Sequence, residues 1–202
     1  GVLASVNAVT TGGPWLGKTA LDIAEEHNLK VVEDCALAVG TRLGGQHVGL
    51  FGDVGCFSFY PVKHITTGEG GMATFRDEEL AQRFRKLRAF GVDRSHMERT
   101  IPGMYDVLTL GLNYRMSELQ GAIGRKQIGR IAENLAVRRA NFESLKGKLA
   151  LLPHVRVLDA TSPEAENSHY CLSAVLDGDH ATLRNEVVAR LNKAGVGTSV
   201  YY

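Results

Sequence analysis

Short apolar runs alternate with a helical pattern along the first part of the chain. The apolar runs at residues 29–34, 54–60 and 71–75 predict strands, and so does the run at residues 2–9. Residues 19–28 lie between the runs at 2–9 and 29–34 and have the apolar spacing of a helix. This alternation is typical of an α/β fold with a buried sheet.

The pattern becomes mainly helical in the middle of the chain and mixed at its end. Acids come first and bases later in the helix that we predict at 77–90, as the helix dipole favours. Residues 91–112 read as an irregular connection. Other predicted elements are a glycine-rich hairpin at 42–53, a helical stretch at 117–151, strands at 155–159, 169–176 and 196–202, and a helix at 181–195. We therefore expect a large portion at 1–150 and a small α+β portion at 151–202.

Composition narrows the classes of function. The 202 residues carry 23 Lys+Arg against 22 Asp+Glu, so charge gives no argument for a nucleic-acid or membrane partner. Cys35, Cys56 and Cys171 are odd in number and far apart, and we expect reduced, buried thiols in a cytoplasmic protein. No spacing of Cys and His predicts a zinc site.

A phosphate-binding loop is one reading of the stretch TGGPWLGKT at residues 11–19. Gly12, Gly17, Lys18 and Thr19 fit the G-x-x-x-x-G-K-[ST] pattern. Against an NTPase, Pro14 and the bulky residue after it stiffen a loop whose amides must wrap phosphates. The same glycines also suit a turn between a strand and a helix.

A carboxylate, a hydroxyl and an amine follow the ends of two predicted strands. Asp34 ends one strand, Ser58 lies in the next, and Lys63 lies in the loop beyond it. Ligands of open α/β sheets bind beyond the carboxyl ends of strands. Pyridoxal 5′-phosphate (PLP) needs these three kinds of group, for its ring nitrogen, its phosphate and its Schiff base. The alternative is that Asp34 caps a turn and Lys63 is solvated.

The stretches VVEDCALAVG, FSFYPVKHITTGEGG and NYRMSELQGAIG resemble the PLP core of the nucleotide-sugar aminotransferases, the DegT–DnrJ–StrS group of the aspartate aminotransferase superfamily. The resemblance spans nearly the whole chain. It implies part of a fold type I PLP large domain, with a smaller C-terminal α+β domain. It also implies a homodimer whose two subunits share each active site.

The resemblance assigns roles to single residues. Lys63 would bind the cofactor covalently and move a proton, Asp34 would bind the pyridinium nitrogen, and Ser58 would donate to the phosphate. Asn113 would reach the phosphate of the neighbouring subunit. Arg115 would contact substrate or serve as a structural ion-pair partner, and Glu69 would lie near the sugar. The reaction would transfer an amino group from an amino acid, usually L-glutamate, to a keto-sugar on a nucleoside diphosphate.

Two departures from the family pattern matter. Leu37 stands where members of the group usually carry Gln or His, a polar side chain that would contact the cofactor's 3-hydroxyl. Family members are also longer, and we expect their N-terminal part, with a phosphate-binding turn and a stacked aromatic ring, to be missing here. Two alternatives follow from these departures: a non-catalytic remnant that only dimerises, and a related PLP-dependent sugar 3-dehydratase. In that dehydratase branch His replaces the Schiff-base lysine, whereas here Lys63 is present with His64 beside it.

Overall fold

The computed structural model describes residues 3–7, 19–93, 96–159 and 162–200, with the backbone alone for the first range. The strands are β1 (Leu3–Asn7), β2 (Lys30–Asp34), β3 (Arg42–Leu43), β4 (Gln46–His47), β5 (Val54–Ser58), β6 (Gly71–Phe75), β7 (Val155–Leu158), β8 (Ala165–Glu166) and β9 (Ser173–Leu176). The helices are α1 (Ala20–Glu26), α2 (Glu78–Leu87), α3 (Glu118–Ile128), α4 (Ile131–Leu149) and α5 (Arg184–Lys193). Residues 11–18, which carry most of the phosphate-loop pattern, lie outside the described residues.

A four-stranded sheet in the order β1-β2-β5-β6 forms the centre of the fold. The first three strands are parallel, and β6 returns antiparallel to β5. α1 connects β1 to β2, and the Thr19 side chain caps it by accepting from the Asp22 N–H. The predicted α/β class is confirmed, with the predicted central strands in a mostly parallel sheet.

One face of this sheet packs into the core and the other does not. Val31, Glu33 and Cys35 are buried, while the alternate residue Asp34 is exposed. The same alternation occurs in β5, where Phe57 is buried. Because side chains of a strand point to opposite faces in turn, the polar residues at the strand ends share the less covered face.

The glycine-rich connection between β4 and β5 is tied to the sheet through one carboxylate. Glu33 is 5% exposed and accepts backbone N–H groups of Gly49, Phe51 and Gly52 at 2.7, 2.8 and 2.8 Å. Three charge-assisted hydrogen bonds compensate for burying the charge. This arrangement fixes the start of β5 and therefore the strand that carries Ser58.

The predicted helical stretch at 117–151 consists of two helices, α3 and α4, whose apolar side chains are only partly buried. Ser117 caps α3, where its side chain accepts from the Gln120 N–H. Phe142 of α4 is buried, but Leu119 and Ile123 are 79% and 47% exposed. The apolar side chains of α3 and α4 therefore do not form one buried face within the described residues. None of the described helices is long and apolar enough to cross a membrane.

The end of the chain contacts the large portion through β8. This strand pairs with β3, a pairing that the sequence did not predict, while among the described strands β7 and β9 pair only with each other. The expected strand at 196–202 is wrong for 196–200, which have no regular structure and are exposed, because no other described strand pairs with them. The division near residue 150 remains a prediction.

The cysteine prediction holds only for one residue. Cys35 is fully buried, and burial raises its pKa to about 12, so it remains a thiol. Cys56 and Cys171 are exposed, which corrects the expectation that all three are buried. Cys56 is exposed because it lies on the less covered face of β5, beside Asp34.

Candidate active site

Asp34 and Ser58 lie on neighbouring parallel strands at the same edge of the sheet. Asp34 is the last residue of β2, and its Cα partner in β5 is Cys56. Ser58 comes two residues later, at the end of β5. The spacings of residues and strands place the two Cα atoms about 8 Å apart on one face. A ligand on that face can contact the carboxylate and the hydroxyl together.

Local hydrogen bonds orient the Asp34 and Ser58 side chains and leave each able to form a further hydrogen bond. The Asp34 Oδ1 accepts the Ala36 N–H at 3.0 Å, which turns the chain after the strand. The Ser58 Oγ accepts the Tyr60 N–H at 3.3 Å. The Ser58 hydroxyl proton can still be donated, and the second Asp34 oxygen has no hydrogen bond among the described residues.

Lys63 lies in a closed loop directly after β5. The Thr67 N–H donates to the Phe59 carbonyl and the Lys63 N–H donates to the Tyr60 carbonyl, each at 3.0 Å. The lysine is half-buried, and its Nζ lies 5.3 Å from the centroid of the Tyr170 ring. No described hydrogen bond joins Lys63 to Asp34 or Ser58. The loop thus places the amine beyond the strand end, near Tyr170.

The rest of this loop is held by α3. Gln127 pairs with the backbone of Thr66, accepting from its N–H at 3.0 Å and donating to its carbonyl at 2.9 Å. Gln120 donates to the Glu69 carbonyl at 2.8 Å. The position of Glu69 is therefore set by its backbone, and its exposed side chain can contact solvent or a ligand.

His64 fastens the lysine loop to the C-terminal part of the chain. Its ring is 5% exposed, and its Nε2 lies 3.1 Å from the Ser168 carbonyl oxygen. Burial lowers the pKa of His64 to about 4, with the Arg138 charge as the second cause. His64 is therefore neutral near pH 7, and a neutral ring that donates from Nε2 to the carbonyl fits this contact.

Asn113 and Arg115 contact each other rather than the other site residues. The Arg115 Nε donates to the Asn113 Oδ1 at 3.2 Å, and its guanidinium lies 4.7 Å from the Phe90 ring centroid. Both residues are exposed, and no described hydrogen bond joins them to Asp34, Ser58 or Lys63. Within this chain Arg115 thus contacts Asn113, and the two roles that the sequence suggested for Arg115 remain predictions.

Sequence reasoning missed the segment that faces Lys63. Arg138 lies in a charged stretch of α4, yet it donates to the carbonyls of His169 and Tyr170 at 3.4 and 3.1 Å. Ser168 is buried and exchanges hydrogen bonds with Thr41. Nothing local marks these residues, because every partner lies at least 30 positions away in the chain.

The side chains at the strand ends fit PLP. An acid and a hydroxyl share one open face about 8 Å apart, and an amine lies in the next loop. Leu37 offers no polar side chain here, and its carbonyl accepts weakly from the Ser168 Oγ at 3.4 Å. A cofactor held by Asp34, Ser58 and Lys63 would therefore lack a side-chain partner from Leu37.

Comparison with known proteins gives a match over nearly the whole chain. The model of the DegT/DnrJ/EryC1/StrS aminotransferase family matches residues 12–202. GDP-perosamine synthase from Caulobacter vibrioides is 36% identical over 176 residues, which cover 87% of this chain and 46% of that protein. The dTDP-4-dehydro-2,6-dideoxy-D-glucose 3-dehydratase of Saccharopolyspora spinosa is 32% identical over 213 aligned positions, covering 96% of this chain and 46% of that protein.

The fold is also that of a solved relative. The aminotransferase TlmJ from Streptoalloteichus hindustanus superimposes with a TM-score of 0.83 at 29% identity, covering 99% of this chain and 52% of that one. The chain thus spans about half the length of the relatives that it matches.

Proposed function

The chain belongs to the DegT/DnrJ/EryC1/StrS aminotransferase family, and we propose that it forms the cofactor-binding part of an aminotransferase acting on a nucleotide-linked keto-sugar. Aminotransferases of this family use PLP. One observation carries the proposal: Asp34 and Ser58 end adjacent parallel strands on one open face, and Lys63 lies in the loop that follows β5. L-glutamate is the amino donor that we propose.

Each residue has a distinct task in this proposal. The Asp34 carboxylate holds a proton on the ring nitrogen, and the Ser58 hydroxyl donates to the phosphate. Lys63 binds the cofactor covalently and then moves a proton at the substrate carbon that carries nitrogen. Bound PLP supplies the electron sink that makes this carbon acidic. Glu69 is exposed at the end of the lysine loop and would contact the sugar.

A test of the cofactor site uses covalent trapping. The full-length gene product is mixed with PLP, reduced with borohydride and digested, and the modified peptide is identified by mass spectrometry. We expect one pyridoxyl group on Lys63 and none in Lys63→Ala. Lys86→Ala, at an exposed lysine of α2, serves as the matched control and keeps the adduct. An unmodified Lys63 in the wild type would support the non-catalytic remnant instead.

A sugar dehydratase is the second candidate, because a 3-dehydratase is among the relatives. The two reactions differ in whether the sugar receives nitrogen from an amino donor. Transamination converts L-glutamate to 2-oxoglutarate in step with amination of the sugar, whereas dehydration removes a hydroxyl from the sugar and leaves no nitrogen on it. Mass spectrometry of products from a panel of nucleotide-linked keto-sugars separates them, and the presence of Lys63 favours transamination.

A homodimer with shared sites completes the proposal. Apolar side chains cluster on the segment before α3 and on α3 itself, with Leu110 and Leu119 90% and 79% exposed. A second copy of the chain is the partner that we propose for this surface. Asn113 lies in the same segment and would reach the neighbour's cofactor phosphate.

Mixing two inactive variants tests the shared site. Lys63→Ala and Asn113→Ala each remove one group from every site of a pure dimer. A hybrid dimer has one site that lacks both groups and one that has both. We therefore expect mixing, with subunit exchange, to restore up to about half of the activity per hybrid dimer. No recovery after verified exchange would contradict the shared site.

A further inference from the structure

The side-chain amine of Lys63 lies over an aromatic ring from the far end of the chain. Its Nζ is 5.3 Å from the centroid of the Tyr170 ring, and both residues are half-buried. The face of an aromatic ring carries negative charge and attracts an ammonium group within about 6 Å. The Lys63 Nζ forms no hydrogen bond with the described residues. The Tyr170 ring face is the electrostatic contact that the structure shows for this amine.

The Tyr170 ring is held in place by its neighbours. The Arg138 guanidinium donates to the Tyr170 carbonyl at 3.1 Å, which fixes the backbone that carries the ring. The His64 ring lies 5.6 Å from the Tyr170 ring, centroid to centroid, at a tilt of 51°. This tilted geometry is one that aromatic pairs prefer. The ring therefore has a packing partner in His64, and the backbone that carries it is held by Arg138.

The segment that carries the ring is also joined to the loop after Asp34. The Thr41 Oγ1 donates to the Ser168 Oγ at 3.0 Å, and the Ser168 N–H donates back to Thr41 Oγ1 at 3.3 Å. His64 contacts the same segment through the Ser168 carbonyl. Residues 168–170 thus connect the loop that follows the proposed acid with the loop that carries the proposed amine.

We propose that Tyr170 is a positioning residue whose ring holds the Lys63 amine whenever that amine is not bonded to the cofactor. The inference rests on the proposed function, since transamination requires the lysine to leave the cofactor, move a proton and return. The released amine is neutral until it takes up the substrate proton, and the ring can attract it first as a weak N–H donor and then as an ammonium, which keeps it within reach of the site. His64 is neutral near pH 7, so it adds no second positive charge beside the amine.

Chemical labelling of the cofactor-free, full-length protein tests the contact directly. The acetylation rate of Lys63 by acetic anhydride is measured by mass spectrometry, with exposed Lys86 and Lys126 as internal standards. Losing a cation–π contact exposes the amine, so in Tyr170→Leu we expect Lys63 to react about two- to fivefold faster. Tyr170→Phe keeps the ring and should match the wild type.

The same labelling can overturn the proposal. An unchanged Lys63 rate in Tyr170→Leu means that the ring does not hold the amine. An equal increase in Tyr170→Phe means that the hydroxyl, not the ring face, matters. Circular dichroism confirms folding, and Tyr170→Met, which fills the space without an aromatic face, replaces the Leu variant if that variant is unfolded.

A kinetic isotope effect connects the contact to the reaction. In the PLP-loaded protein, a poorly placed lysine slows proton transfer, so Tyr170→Leu should show a larger deuterium effect with 2-deuterated glutamate than wild type or Tyr170→Phe. An unchanged effect contradicts a positioning role. Failure to trap PLP on wild-type Lys63 overturns the proposed function, whereas equal labelling of Lys63 in wild type and Tyr170→Leu overturns the role of Tyr170 alone.

Discussion

The Nε2 atom of His64 lies 3.1 Å from the carbonyl oxygen of Ser168, across 104 positions of the chain. Both residues are buried, and the His64 Nδ1 has no hydrogen-bond partner among the described residues. Protonating this ring would bury a charge near the Arg138 and Lys63 side chains, both of which lower its pKa. The stability of the lysine loop therefore depends on pH through His64.

We expect the free energy of unfolding to fall as the pH is lowered from about 7 to about 4. The folded-state pKa of His64 is about 4 and its unfolded value is 6.5, so below 6.5 the unfolded chain takes up a proton that the folded chain does not. The stabilisation is complete above 6.5 and is lost progressively toward 4. A difference of about 2.5 between these pKa values corresponds to about 3 kcal/mol.

Urea unfolding of the cofactor-free protein between pH 4.5 and 7.5 measures this dependence. His64→Gln keeps an N–H that can donate to Ser168 but does not titrate, so its stability should vary less with pH. Some dependence remains, because burial also lowers the pKa of His169. His27→Gln, at an exposed position, should behave as wild type. Equal slopes for His64→Gln and wild type would refute the prediction.

Asp34→Asn should abolish most activity without disturbing the fold. The amide oxygen can still accept the Ala36 N–H, which Asp34 now accepts at 3.0 Å, so the turn after β2 is kept. The neutral side chain cannot hold a proton on the ring nitrogen, and we expect a loss of at least about 100-fold in kcat. Steady-state kinetics with unchanged circular dichroism check this; activity within threefold of wild type would remove Asp34 from the proposed site.

The central sheet was predictable because its signals are local. Each strand of β1, β2, β5 and β6 is an apolar run bounded by turn residues, and burial of one face follows from strand alternation. Asp34 and Ser58 were therefore placed correctly at strand ends. Whether the two residues share one face depends on the register in which β2 pairs with β5, and a single sequence does not specify that register.

The long-range contacts could not be read from the pattern. Arg138 lies in a charged stretch of α4 that is typical of a solvated face, yet its partners are two carbonyls about 30 residues away. Residues 196–200 have the composition of a strand, but no other described strand pairs with them. Pairing partners and tertiary hydrogen bonds decide both cases, and neither leaves a signal in local spacing.

Glu33→Gln should destabilise the fold by about 1–3 kcal/mol. The carboxylate accepts the Gly49 N–H through Oε2 and two further N–H groups through Oε1. An amide can replace Oε1 but presents an NH₂ group to the buried Gly49 N–H, which is left unpaired. Urea unfolding gives the change, with Glu25→Gln as an exposed control. Equal midpoints for the two variants would mean that the buried carboxylate contributes little.

Gly91→Ala should destabilise the protein by about 2 kcal/mol more than Gly103→Ala. Both glycines have a left-handed backbone, with φ of +69° and +81°, so both substitutions carry the same conformational cost. Only at Gly91 would the added Cβ meet backbone, the Thr109 carbonyl oxygen, whereas nothing lies within 4 Å of it at Gly103. The backbone at Gly91 cannot move aside easily, because its N–H donates to the Lys86 carbonyl at 2.8 Å and its carbonyl accepts from Leu108. Thermal unfolding of the two variants side by side measures the difference, since their shared cost cancels and the clash alone remains.

Equal melting temperatures would show that the segment before α3 can shift away from Gly91. That segment would then not be fixed in the position from which Asn113 is proposed to reach the partner subunit.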